Sequence, residues 1–392
     1  MKRLPLLLRI LIAIALGVML GLVAPGWCVR LMNTFNGLFD QLLKFLIPLI
    51  ILGLVAPAIA DVGKGAGRML LLTATLAYLF TVGAGLFSFG ISHWIFPSFV
   101  DAGTLSALER EGATFSPYFT IAIPPLTDVM TSLVLAFMLG LGMAAFPARA
   151  LSLGFSEFRG IIVRTITAVI IPLLPAYIFG LFLDMTAAGQ VGAVLADFAL
   201  VIAIIFSMTA LWLLIQYAIA GIACRRNGWK CLLGMMPAYF TALGTSSSAA
   251  TIPVTLKQAL RNGVSEEVAG FCIPLCATIH LSGSTLKITA CATALMLMLG
   301  MPYDFPTMLG FVLMLGVVMV AAPGVPGGAI MAALGVLESL LGFGAREQAM
   351  MITLYIAMDS FGTACNVTGD GAIALIVDHL HGLSNTRRKQ AT

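Results

Sequence analysis

Asp359, Thr363, Asn366 and Asp370 follow one another at steps of four, three and four residues in an otherwise apolar stretch. At about 100° per residue on a helix they fall within a stripe roughly 60° wide. Two carboxylates, an amide and a hydroxyl on one stripe can hold an ammonium group, donate to a carboxylate, or coordinate a hard cation. Facing lipid, each central Asp would cost about 2.5 to 3.5 kcal/mol even on the lenient insertion scale. The stripe must therefore face a site, or a polar network that locks helices together.

Three further stretches place polar or helix-breaking residues inside hydrophobic sequence. Gly244 to Pro253 carries Ser246, Ser247 and Ser248, and Ala322 to Gly328 carries Pro323, Gly324, Pro326, Gly327 and Gly328. Neither can run as a continuous helix, and backbone that leaves the helix at membrane depth must be buried in protein or line a wet cavity. His280 to Thr285, with Ser282, Gly283 and Ser284, interrupts a third apolar run that also holds Lys287. Gly283 flanked by serines is expected to unwind locally and expose carbonyl oxygens to a small cation or to substrate.

The elements that position these residues follow from composition. The chain is 60% hydrophobic and 10% charged, far from the roughly 25% charged of soluble domains; its mean hydropathy is +1.04. It is an all-α membrane protein. Apolar runs long enough for about 30 Å of hydrocarbon occupy Leu4 to Val23, Phe39 to Ala60, Leu70 to Phe96, Tyr118 to Phe146, Ile161 to Leu183 and Val191 to Ile222. The first follows Lys2 and Arg3 but precedes further spans rather than an exposed domain, so it reads as a span and not as a cleaved signal.

Short cytoplasmic loops collect Lys and Arg. With the N-terminus inside, the cytoplasmic connections hold Lys64 and Arg68, then Arg149, Arg159 and Arg164, then Arg225, Arg226 and Lys230; the C-terminal tail holds Arg387, Arg388 and Lys389. The opposite connections are acidic or sparse, with Arg30 and Asp40, then Asp101, Glu109, Arg110 and Glu111, then Asp184. Both termini are thus cytoplasmic, and the short loops suit a bacterial inner membrane. The net charge of +4 is spread over these loops, which excludes a nucleic-acid surface. Seven cysteines lie in or beside apolar runs as packing groups, without a Cys/His cluster for a metal. Asn366 to Thr368 matches a glycosylation acceptor but lies inside the last membrane segment.

From about Trp229 onward Gly and Pro shorten the apolar runs, dividing the chain into a scaffold half, 1–228, and a transport core, 229–382, with a cytoplasmic tail at 383–392. Within the core, re-entrant hairpins at 231–262 and 307–345 are each followed by one polar-centred segment, at 268–299 and 346–380. That order is expected of inverted repeats. The runs at 69–96 and 191–222 join the core.

The segments Ser246 to Pro253, Gly324 to Gly328, Asp359 and Asn366 to Asp370 resemble those of the dicarboxylate/amino acid:cation symporters, the glutamate transporter homologues, and the likeness runs the length of the chain. It implies eight transmembrane helices with two re-entrant hairpins, a homotrimer, and a transport domain that moves like an elevator. It also implies that Asp359 holds the substrate's ammonium, Asn366 meets its carboxylate, and Thr363 contacts it. Backbone near Ser246, Ser247 and Ser248 and at Val325, Pro326, Gly327 and Gly328 would complete the pocket. Asp370, Asn366, Gly283, Tyr78 and Thr81 are the implied cation ligands. The coupling ion is expected to be Na+ or H+, with no organic cofactor.

Two departures shape the expected function. Gly362 stands where members that carry acidic substrates have an arginine; without that bidentate partner a side-chain carboxylate loses its recognition. The glycine is expected to leave space, favouring a small neutral amino acid, and Gly362→Arg is expected to shift preference toward aspartate or glutamate. His280, Leu281, Ser282, Gly283 and Ser284 replace the family's Asn-Met-Asp-Gly-Thr, so at least one sodium site is expected to be lost, with His280, Ser282 and Lys287 as coupling candidates. Lys287 could substitute for a bound cation, snorkel to water, or serve an acidic substrate in place of the arginine; His280 could carry a proton or be a satisfied neutral histidine. A non-transporting amino-acid receptor or a channel is a further reading, and a serine hydrolase using the serine run with His280 is another.

Overall fold

The computed structural model describes residues 6–64, 68–100, 102–104, 115–189, 191–322 and 326–391, and among them there is no β-strand. Among the described residues five helical stretches are long and apolar enough to cross a membrane: Gly26–Asp61, Met69–Ser98, Arg149–Ala187, Val194–Cys224 and Glu266–Leu299. Shorter apolar helices accompany them. The protein is an integral membrane protein.

The first group of helices is α1 (Leu6–Gly21), α2 (Gly26–Lys64), α4 (Val129–Ala145), α5 (Arg149–Thr165) and α6 (Ile171–Ala187). Helices α2 and α4 pack along each other, and α1 lies against α6. Gly17 and Gly21, four apart, allow that last approach: a Cβ on Gly21 would stand 2.5 Å from Thr186 Cβ. Helix α3 (Arg68–Ile95) leaves this group to pack on the second half of the chain.

Two expected segments change shape here. Only Val129–Ala145 of the run from Tyr118 to Phe146 is helical, because Pro124 and Pro125 stop a helix and Asp128 then caps α4 by accepting from Thr131 N at 2.9 Å. The preceding extended chain satisfies its backbone on α2: Asn33 Nδ2 donates to Phe115 O at 2.7 Å, and Tyr118 N donates to Thr34 Oγ1 at 2.9 Å. Arg149, Arg159 and Arg164 lie on α5 rather than in a loop, and a π turn at Ile166–Ile170 carries α5 into α6. Lys2, Arg3, Asp101, Glu109, Arg110 and Glu111 lie outside the described residues.

The second half is built from interrupted helices. After α7 (Val191–Cys224) come α8 (Gly228–Thr245) and α9 (Ser248–Arg261), α10 (Glu266–Ile279) and α11 (Ser282–Leu299), and α12 (Phe305–Val320) and α13 (Gly328–Leu341). Then come α14 (Ala345–Ala357) and α15 (Asp359–Ala391). Helix α7 packs on α8 and α15, and α3 packs on α11 and α12. Every residue from Ser282 to Met298 is buried, polar ones included, so α11 is the axis of this half.

Two breaks differ from their expected positions. His280 (φ −103°, ψ 101°) and Leu281 (φ −122°, ψ 43°) interrupt the third apolar run, whereas Gly283 is helical. A Cβ at Gly283 would lie 2.6 Å from Cys365 Cβ and 2.7 Å from Gly362 O, so this glycine serves the close crossing of α11 and α15, not an unwound turn. The last segment is broken at Met358, which places Asp359 in the first turn of its own helix.

Candidate functional site

Four helix N-termini converge on one small volume. Helix α9 starts after Ser246, which adopts the left-handed conformation (φ 51°, ψ 29°), and Ser247, whose Oγ accepts from Ala250 N at 3.3 Å. Helix α13 starts after Gly327, whose φ of 74° glycine adopts without strain. Helices α11 and α15 start at Ser282 and Asp359. The first N–H groups of a helix lack intrahelical partners and carry the positive end of its dipole, so such termini favour a carboxylate.

The stripe on α15 is spent as follows. Asp359 Oδ2 accepts from Gly327 N at 2.8 Å, which ties α15 to the tip before α13. Thr363 Oγ1 donates to Asp359 O at 3.0 Å. Asn366 Oδ1 accepts from Gly283 N at 2.8 Å, and its Nδ2 donates to Ser284 Oγ at 3.2 Å. Asp370 Oδ1 meets His280 Nδ1 at 2.9 Å, with both side chains essentially out of solvent.

Ser246, Ser248, Asp359, Thr363 and Asn366 line a common cavity of about 30 Å³, together with Ser284, Tyr355, Ala322 and Ala329. No Lys, Arg or His lines it among the described residues. That volume is near the share of one water molecule. Pro326 lines an adjoining cavity of about 210 Å³ with Ser246, Asp359 and the Leu6 and Leu7 side chains of α1. Ser247 and Gly328 sit at the starts of α9 and α13, and Val325 lies outside the described residues.

The cation candidates divide. Ser282 Oγ accepts from Gln216 Nε2 at 3.3 Å, and Thr81 Oγ1 is buried with no hydrogen-bond partner. Tyr78 turns its hydroxyl to Leu313 O of α12 at 3.1 Å, so it is not bonded to the Asp370 group. His280 stands beside Asp370, and its Nε2 lies 3.4 Å from Gln216 Nε2. Both ring nitrogens are thereby engaged away from Ser246 to Ser248, so His280 is not a base for these serines. Among the described residues no group of three or more His, Cys, Asp or Glu side chains could hold a metal.

Gly362 does not leave space. A Cβ there would stand 2.3 Å from both Cε and Nζ of Lys287. The ammonium donates to Met358 O at 3.0 Å, lies 4.0 Å from Asp359 Oδ1, and sits 4.0 Å from the Tyr355 ring centroid. With Lys287 only 1% exposed, the snorkelling alternative is corrected as well.

Sequence reasoning missed Gln216, a buried amide in the largely apolar α7 that reaches both His280 and Ser282. Its signal was its type, an amide in a membrane span. The Met358 carbonyl left no signal, since any residue can cap a helix with its backbone.

Residues 6–380 match the family model described as the sodium:dicarboxylate symporter family. The chain belongs to the sodium:dicarboxylate symporter family. It is similar to the Serine/threonine transporter SstT of Acinetobacter baumannii, at 29% identity over 96% of this chain and 97% of that protein. A protein of that name from Streptococcus thermophilus is 28% identical over 94% of both chains. The family and these relatives are transporters, so the chain is a transporter and not an enzyme.

Proposed function

We propose that the protein moves a small neutral amino acid, of the serine or threonine class, across a bacterial inner membrane by secondary active transport. One observation carries this reading: the cavity presents the Asp359 carboxylate, the Asn366 amide and the starts of α9 and α13, but no cationic side chain. An α-ammonium finds Asp359, and an α-carboxylate finds helix N-termini and neutral donors. The side chain then meets hydroxyls and small apolar groups, where a second carboxylate would be desolvated without a partner. The serine/threonine relatives agree with this chemistry. Lys287 offers no remedy for an acidic substrate, because its ammonium lies on Met358 O beside Gly362 and does not line the cavity.

The carrier is read as eight membrane helices and two re-entrant hairpins in an inverted repeat, with the second half moving as an elevator against α1, α2, α4, α5 and α6. The breaks at Ser246–Ser247 and before Gly328, each at the tip between two short helices, support the hairpins. Packing of α3 and α7 on the second half supports their place in the moving part. Ala322 and Thr278 share a cavity with Asp61 and Arg159, at the end that the basic residues mark as cytoplasmic, which suits an inward-facing stage. A homotrimer follows from the family arrangement. Sodium coupling is reduced or replaced, with His280 at Asp370 and Lys287 at Asp359 supplying positive charge or hydrogen bonds that a bound cation would otherwise provide.

The test is binding of all twenty amino acids to the purified protein, first in sodium and then in choline with sodium removed. Serine, threonine or alanine should bind best, with weak sodium dependence. Tighter binding of aspartate or glutamate would overturn the substrate class; a steep sodium requirement would overturn the replacement.

A further inference from the structure

Lys287 is the only buried lysine or arginine among the described residues. An ammonium taken out of water costs several kcal/mol unless the surroundings replace its hydration. At the α14–α15 break they do. Met358 O belongs to the C-cap of α14, where the helix dipole is negative, and accepts the ammonium at 3.0 Å. The Asp359 carboxylate stands at 4.0 Å, and the face of Tyr355 closes a third side at 4.0 Å from the ring centre. A carbonyl oxygen, a carboxylate and an aromatic face are the groups that would hold a free monovalent cation.

We propose that the α14–α15 break is a monovalent-cation site and that the Lys287 ammonium is its tethered occupant. Gly362 makes room for it: any side chain at that position would fall on Cε and Nζ. The same Asp359 carboxylate also accepts the Gly327 N–H at the tip before α13, so the tethered charge steadies the acceptor that ties that tip down. The consequence is that the empty protein holds Asp359 with its charge already balanced. A zwitterion then adds no net charge on binding, and the step needs no cation from solution at this position. The link to substrate rests on the transport reading; the site itself does not.

Lys287→Ala removes a propylammonium-sized fragment and should open the site to free cations. In choline, the melting temperature of the purified variant should fall by several degrees, and n-propylammonium or sodium should restore it, whereas the wild-type melt should not respond to propylammonium and should respond only weakly to sodium. In the same buffers, serine binding should be lost in choline and recover with propylammonium, whereas the wild type binds serine in both. Restored melting without amino-acid binding by any form, wild type included, would uphold the site and refute the amino-acid reading of the cavity. A Lys287→Ala protein that melts and binds like the wild type in choline would overturn the site. A variant that unfolds in every buffer while Lys287→Ala/Asp359→Asn folds would overturn it also, since the cavity would then accept no free cation. Failure of both variants to fold would make Lys287 a packing residue and equally refute the proposal.

Discussion

Gly362→Ala is the sharpest test of how Lys287 is housed. The new Cβ would lie 2.3 Å from Cε and Nζ and 3.3 Å from Cδ of Lys287, so the ammonium must leave Met358 O and move away from Asp359. Overpacking costs about 1 to 3 kcal/mol, and a lost hydrogen bond to a charged group about 1.5 to 3 kcal/mol. Alanine in place of glycine inside a helix returns about 1 kcal/mol. The net expected loss is about 1.5 to 5 kcal/mol. In a Lys287→Ala background the same substitution meets no ammonium, and its cost should drop to about zero or reverse to the alanine gain. Thermal melting of the four proteins of this cycle, followed in detergent, gives the coupling directly. Additive effects of the two substitutions would refute the argument that Gly362 and Lys287 share one volume. It follows that Gly362→Arg alone cannot install an acid-binding arginine; that change becomes informative only with Lys287 shortened.

Asp359→Asn should abolish amino-acid binding and lower the melting temperature, because it strands the Lys287 ammonium in a buried position at a cost of about 3 to 5 kcal/mol; calorimetric titration with serine and a melt check both parts. Asn366→Ala leaves Gly283 N without its 2.8 Å acceptor and removes the donor to Ser284, which should destabilise by about 1 to 3 kcal/mol and weaken serine binding in the same titration. Arg159→Ala breaks only an exposed 3.6 Å pair with Asp61 and should shift stability by no more than about 0.5 kcal/mol, read from the same melts.

Much of the site was legible from residue types. Carboxylates, amides and hydroxyls are rare enough in apolar sequence that Asp359, Thr363, Asn366 and Asp370 declared their shared face, and the serine and Pro-Gly runs declared two broken helices. The positions of the lesser breaks were not legible. Gly283 looked like an unwound residue because glycine serves both a turn and a close helix crossing, and only the neighbouring Cys365 and Gly362 O reveal which. Tyr118 to Thr127 looked like membrane span because its residues are apolar, although Pro124 and Pro125 already argued for the extended chain that lies against α2.

By itself the sequence determined that the chain is helical and membrane-embedded, since a residue's free energy in hydrocarbon depends mainly on its own type and on satisfying its own backbone. It also marked the breaks at Ser246–Ser247 and before Gly328, where helix-breaking residues cluster, but not those at His280–Leu281 and Met358, and Pro48, Pro57 and Pro274 lie inside helices. The tertiary structure decided which partner each buried polar group takes: His280 with Asp370, Asn366 with Gly283 N, Lys287 with Met358 O. A flexible lysine stem can reach many acceptors, and its choice is fixed only when α11 crosses α15 closely enough at Gly283 and Gly362 to remove the others.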